Sequence, residues 1–306
     1  MKLQIKHSLL LLLAAFIWGI AFVAQSVGME YVGPMSFNGC RFLLGGTVLL
    51  PLVLFRKNKK KQTVDSQQTL EKRKQQRKTT LIGGICCGMA ICTASCLQQY
   101  GIQYTSVGKA GFITALYIII VPFLGIFLKK KVSPLVWGSA CLAAVGFYFL
   151  CITENMSLNK GDILVFLCAI CFSFHILIID YFAPKADGVE LSCIQFYFSG
   201  IVCMILAILL EKPTWEGILA GAMPILYAGV LSCGVAYTLQ IVGQANMNPT
   251  VASLILSLES VISVFAGWII LNELLTTKQL LGCVLVFTGV ILAQIPVPQK
   301  EISKAS

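Results

Sequence analysis

Residues Ser253–Phe265 read SLILSLESVISVF. Almost every side chain suits lipid, yet Glu259 stands in the middle. A carboxylate near the centre of a membrane helix costs roughly 2.5–3.5 kcal/mol on insertion scales. The stretch therefore poses two questions. What fold accepts so apolar a run, and what does the acid do in it?

The rest of the chain answers the first. Of 306 residues, 57% are hydrophobic and 12% charged, and the mean hydropathy is +0.84. Soluble domains average about 25% charged residues. The composition indicates a polytopic membrane protein. Only helices or a closed barrel span lipid, because no water is there to satisfy open backbone groups. Barrel strands alternate over about ten residues. These runs are longer and do not alternate, so an all-α bundle is expected.

A span needs about 20 apolar residues. On that basis ten spans are expected, at 8–27, 35–55, 80–100, 107–128, 134–152, 161–180, 190–210, 217–240, 249–270 and 278–296. The opening MKLQIKHSLLLLLAAFIW has a signal-like start, but its apolar run continues too far for a signal core. It is read as an uncleaved first helix. The net charge of +10 sits in short loops between spans, which argues for topology and against nucleic acid as a partner. Most Lys and Arg fall on the side of the N-terminus, while Lys109, Lys160, Lys212 and Lys278 fall on the other. The positive-inside rule then puts both termini in the cytoplasm. The polar stretch 56–78, RKNKKKQTVDSQQTLEKRKQQRK, is expected to be a solvated cytoplasmic loop.

The halves, 1–152 and 153–306, resemble each other. A shift of 154 lays Trp18 on Phe172, Arg41 on Gln195 and Phe42 on Phe196. A shift of 141 lays Gln99 on Gln240 and Gln103 on Gln244. Five spans per half is odd, so the second half enters the membrane from the opposite side. That is an inverted-topology repeat.

Several stretches carry a resemblance: LLAAFIWGIAFVAQ, RFLLGG and YTSVGKAGFITALYIIIVPFLGIF in the first half, GDILVFLCAICFSFHILIID, NPTVASLILSLESVISVFAGWIILNE and LGCVLVFTGVILA in the second. Through them the chain resembles the drug/metabolite transporter superfamily, specifically its EamA-type ten-helix permeases. The resemblance implies helices 1–4 and 6–9 around a central cavity. It places the fifth helix of each half outside, often at a homodimer contact. It implies transport of small organic metabolites, mostly export, with amino acids prominent among substrates. Import, or flipping of lipid-linked sugars, are alternatives within that fold. Two departures stand out. The family usually has proline after the SLE glutamate, where this chain has Ser260, although the first half keeps Pro122. The first half also ends its fourth helix in FLKKK, where the family often has a Gly-Glu pair, while the second half keeps the acid as Asn272–Glu273.

Polar residues inside spans tend to face a bundle interior or a wet cavity. Trp18, Phe22 and Gln25 share one helix face at i, i+4, i+7 spacing. Asn38 and Arg41 share another, with Arg41 either snorkelling outward or entering a cavity. Gln99, Gln195 and Gln240, with Tyr117, Phe172, His175 and Tyr237, complete the expected substrate-binding set. Arg41, His175 and Glu259 are the candidates for charge or proton coupling, since histidine titrates near neutrality. Glu259 is tolerable if it faces the cavity, is protonated, or pairs with a group such as Arg41 or His175. Asp162 is expected to cap the sixth helix.

No cofactor is expected, and the lack of any G-x-x-x-x-G-K-[ST] argues against primary active transport by this chain alone. No metal is expected either. The thirteen cysteines are scattered, and even the Cys168/Cys171 pair lies inside a span, where small buried hydrophobes are the simpler reading. A membrane enzyme would need clustered histidines or acids at one interface, and a sensor or scaffold would need no cavity. Both stand behind a transporter that takes a small-molecule substrate within the lipid bilayer.

Overall fold

The structure is a computed structural model that describes residues 2–61, 67–105, 107–128, 132–151, 159–245, 247–270, 276–293 and 295. Within them the chain is helical. The first half contains α1 (Lys2–Gly28), α2 (Pro34–Lys61), α3 (Gln67–Ile102), α4 (Val107–Ala115), α5 (Tyr117–Phe127) and α6 (Pro134–Cys151). The second contains α7 (Lys160–Phe182), α8 (Gly188–Leu210), α9 (Trp215–Ala220), α10 (Ala222–Leu226), a π-helical segment (Tyr227–Tyr237), α11 (Thr238–Gln244), α12 (Pro249–Leu256), α13 (Leu258–Ile270) and α14 (Thr277–Ala293). Eight helical stretches are long and apolar enough to cross a membrane, and two shorter apolar helices, Pro134–Phe149 and Thr277–Ala293, stand where the fifth and tenth spans were expected. The protein is an integral membrane protein.

Two regions differ from the sequence reading. The 56–78 stretch is not simply a loop. Its described parts extend α2 to Lys61 and start α3 at Gln67. Lys, Gln, Glu and Arg are good helix formers, so the helices continue past the point where apolar residues stop. The eighth span runs Ala222–Gln244 rather than 217–240, because α9 is a separate short helix capped by Thr214. The ends marked by Lys129–Lys131 and Asn272–Glu273 lie outside the described residues.

The helices pair across the halves rather than within them. α2 lies along α8, and α6 along α14. α1 packs on the π segment, α12 and α13, while α7 packs on α3, α4 and α5. The main contacts of one half thus have counterparts in the other. The rings of Phe42 and Phe196, matched by the 154 shift, stack directly at 5.9 Å and 15°. The seam between α6 and α14 needs glycine. A Cβ on Gly146 would stand 2.8 Å from the Gly282 carbonyl, and one on Gly289 would stand 2.8 Å from that of Ser139. Small residues allow this approach where lipid gives no hydrophobic drive. Gly138 takes no part, since nothing lies within 4 Å of its would-be Cβ.

The ends of α2 and α8 clamp one another. The Glu211 carboxylate, just after α8, accepts the Met35 and Ser36 N–H groups at 2.8 Å each, satisfying orphan donors at the start of α2. At the other end Asp187 caps α8 and pairs with Arg56 of α2 at 3.8 Å. The sixth expected span is capped as predicted in place but not in residue. Asn159 is the cap, and Asp162 closes the capping box by accepting the Asn159 N–H at 2.9 Å.

Candidate functional site

A cavity lies at the centre of the bundle. It is lined from α1 by Trp18, Phe22 and Gln25, from α2 by Arg41 and from α5 by Tyr117. Phe172 and His175 come from α7, Tyr237 from the π segment, Gln240 from α11 and Glu259 from α13. α6 and α14 contribute nothing. Its volume is about 40 Å³, room for a few waters, against several hundred Å³ in typical ligand pockets.

Aromatic rings form one wall. Trp18 and Tyr237 meet at 4.5 Å between centroids. Tyr237 also meets His175 edge-on at 6.0 Å and Phe196 at 5.6 Å. The π segment positions this wall. A π turn offsets its carbonyls from the ordinary helical ladder, and such turns recur at functional sites. Here the Ser232 carbonyl, inside the segment, accepts the Trp18 indole N–H at 3.3 Å.

Glu259 is buried, and the Tyr117 hydroxyl donates to its Oε1 at 3.0 Å. Neither Arg41 nor His175 pairs with it. Arg41 is buried too. Its guanidinium lies 4.9 Å from the Phe42 ring centre and 5.7 Å from that of Phe37, cation–π distances that partly offset lost hydration. It makes no ion pair among the described residues, so it neither snorkels nor neutralises the acid. His175 Nε2 shares a hydrogen bond with Gln195 Oε1 at 3.1 Å.

Four cavity-lining side chains each keep one buried polar atom without a partner among the described residues: Gln25 Oε1, Arg41 Nε, His175 Nδ1 and Gln240 Oε1. A buried polar atom left unpaired is costly, and native structures rarely tolerate one without a reason.

Eight of the eleven substrate-site candidates thus come together at one cavity. Asn38, Gln99 and Gln195 do not line it. Asn38 donates to the Ser95 carbonyl at 3.1 Å, Gln99 to the Gln25 carbonyl at 3.2 Å, and Gln195 reaches the site through His175. Sequence reading chose Gln99 by the repeat, whereas its neighbour Gln98 faces the cavity. One residue along a helix turns a side chain about 100°, and a repeat alignment built on few matches does not resolve that. Ser232, Ile176 and Leu256 were also missed. Ser232 carried a signal, a polar residue five positions before Tyr237 in an apolar span. The two aliphatics carried none.

A helical membrane bundle around a polar, aromatic cavity defines a permease-like class. The EamA-like transporter family pattern matches residues 5–152 and again 159–294. The chain belongs to that family, and its general function is that of a secondary transporter. An uncharacterised transporter of Archaeoglobus fulgidus is 27% identical, covering 94% of this chain and 85% of its own. The uncharacterised transporter YoaV of Bacillus subtilis is 22% identical, covering 94% and 96%. A solved crystal structure shares the fold with a TM-score of 0.73 and 14% identity, covering 94% of this chain and 96% of that one.

Proposed function

We propose that the protein exports small organic metabolites, amino acids or related compounds, by alternating access about this cavity. The observation that carries the reading is the set of four unpartnered polar atoms, from α1, α2, α7 and α11, around one aromatic-walled space. Amides, an imidazole and a guanidinium offer both donors and acceptors to a zwitterion. The small volume requires the walls to part to admit substrate. It also favours a compact solute over a lipid-linked sugar, which needs a long groove open to lipid.

The mechanism rests on ten spans in two inverted repeats, 1–152 and 153–306. The paired contacts across the halves support it, because rocking one half against the other exchanges equivalent interfaces. Glu259 takes the coupling role, accepting a proton from one side and releasing it to the other while Tyr117 holds its carboxyl in place. The setting is the plasma membrane, with both termini cytoplasmic, and the paired outer helices α6 and α14 offer the surface for a homodimer.

Proteoliposome uptake against a panel of metabolites, with and without a pH gradient, tests this. Flux of at least one small metabolite is expected, reduced about tenfold or more by Tyr237→Ala, by analogy with the loss of a stacking wall worth about 1.4 kcal/mol. If nothing crosses, and Tyr237→Ala leaves cellular export unchanged, the reading fails.

A further inference from the structure

Three cysteines that the sequence scatters over more than a hundred residues meet in space. Cys92 and Cys96 stand one turn apart on α3, and Cys203 faces them from α8. The Cys203 sulfur lies 3.6 Å from that of Cys92 and 3.7 Å from that of Cys96. All three lie within 4.8 Å of one another. A fourth sulfur adjoins them, as the Cys96 thiol points at the Met35 thioether of α2 at 3.4 Å. Among the described residues this is the one group of side chains disposed to hold a metal ion.

The spacing is informative. A trigonal ion with metal–sulfur bonds of about 2.3 Å sets its sulfurs about 4.0 Å apart. Two of the three sulfur–sulfur distances, 3.6 and 3.7 Å, fall just short of that value, and no pair is farther apart than 4.8 Å, so small rotamer shifts close the site. The donors are also uniform: thiols and one thioether, with no imidazole or carboxylate among them. Soft thiol and thioether sets take copper(I), zinc or iron–sulfur clusters. Structural zinc fills four positions with thiolate, imidazole or carboxylate, and three thiols with one thioether do not supply that set, which leaves copper(I) the better fit.

The surroundings suit a thiolate site. The Asn38 amide reaches the Cys96 sulfur at 4.0 Å, a supporting contact of the kind that orients metal ligands. Cys92 and Cys203 are buried, while Cys96 is partly exposed.

We propose that Cys92, Cys96 and Cys203, with Met35 beside them, form a binding site for a soft monovalent cation of the copper(I) type. On binding, each thiol that becomes a ligand gives up its proton to solvent. The bound ion would tie α2 and α3 of the first half to α8 of the second.

The test is anaerobic titration of the purified full chain in lipid nanodiscs with copper(I), against a copper(I)-specific chelator. Wild type is expected to withhold one equivalent, with an all-sulfur shell by X-ray absorption. Cys203→Ser and the double variant Cys92→Ser/Cys96→Ser should weaken retention more than about 100-fold, and Met35→Leu about tenfold, in the range seen for ligand and near-ligand losses. Cys141→Ser, an exposed thiol on α6, should leave it unchanged. Met35→Leu keeps bulk and packing, so its effect separates lost ligation from misfolding. Retention equal in wild type and Cys203→Ser overturns the proposal, as does no retention in wild type. A site that takes zinc and refuses copper(I) overturns the assignment of the ion.

Discussion

The fourth helix of each half is broken at the same depth, yet the two breaks carry different chemistry. In the first half α4 ends at Ala115 and α5 begins at Tyr117. In the second α12 ends at Leu256 and α13 begins at Leu258. Just past the break the first half places Tyr117 and the second Glu259, and the two side chains meet across the bundle at 3.0 Å. The breaks do not depend on proline. Pro122 sits well inside α5. In the second half serines do the work, with Ser253, Ser257 and Ser263 each donating to the carbonyl three residues back, at 2.9, 2.7 and 2.8 Å. Such bonds compete with the helical ladder and bend it. A near-symmetric scaffold thus delivers one acid and one phenol to a single point, and the asymmetry is where function is expected to lie.

The largest effect should come from breaking that pair on its acidic side. Glu259→Gln keeps the shape and an oxygen that accepts from Tyr117, but it cannot exchange a proton. Flux driven by a pH gradient should vanish, measured in proteoliposomes with gradient-free exchange as the control. Tyr117→Phe removes only the donor. A net hydrogen bond is worth about 0.5–1.5 kcal/mol, so the variant should slow gradient-driven flux by about two- to tenfold while keeping gradient dependence. If Glu259→Gln retains the wild-type response to the gradient, the acid is structural and the comparison loses its functional meaning.

The next effect separates the starts of the two helices. Beside the start of α4, Lys109 reaches Asp162 of α7 at 2.6 Å, and Thr105 joins it at 2.8 Å. The second half uses a local device, with the Asn248 side chain accepting the Thr250 N–H at 2.9 Å ahead of Pro249. Asp162→Ala removes a capping-box member together with two side-chain donors' acceptor, and should cost about 2–3 kcal/mol. Asn248→Ala should cost about 1 kcal/mol. Thermal unfolding in detergent should rank them in that order. Equal losses would mean that the tie to α7 adds nothing beyond an ordinary cap.

Much of this was legible before the structure. Apolar runs and charged loops mark helices because lipid penalises both kinds of error heavily. Glu259, Arg41 and His175 stood out for the same reason, and all three face the cavity. What the sequence concealed were rotations and partners. Gln98 and Gln99 are chemically identical neighbours, and only packing decides which one faces inward. The partner of Glu259 was sought among charged groups, but a phenol from the other half fills the place. Tyr117 reads from sequence as a cavity-lining candidate, not as the partner of the acid. The meeting of Cys92, Cys96 and Cys203 depends on how α3 crosses α8, which no local pattern encodes.

Ser260 gives the smallest and sharpest test of the comparison. It stands where the family resemblance leads one to expect proline, and without that proline the helix is less expected to kink here. Instead the break falls three residues earlier, at Ser257, and Ser260 does something else. Its hydroxyl donates to the Gly111 carbonyl of α4 at 2.8 Å, joining the two fourth helices directly. Its own N–H is held by the Ser257 carbonyl at 3.1 Å. Ser260→Ala keeps the backbone bond and loses the cross-link, so it should cost only about 0.6 kcal/mol, the average for an interhelical bond in a membrane. Ser260→Pro loses both and should be clearly worse in the same thermal assay. If proline is tolerated as well as alanine, the backbone bond carries no weight, and the second half breaks where it does through Ser253 and Ser257 alone.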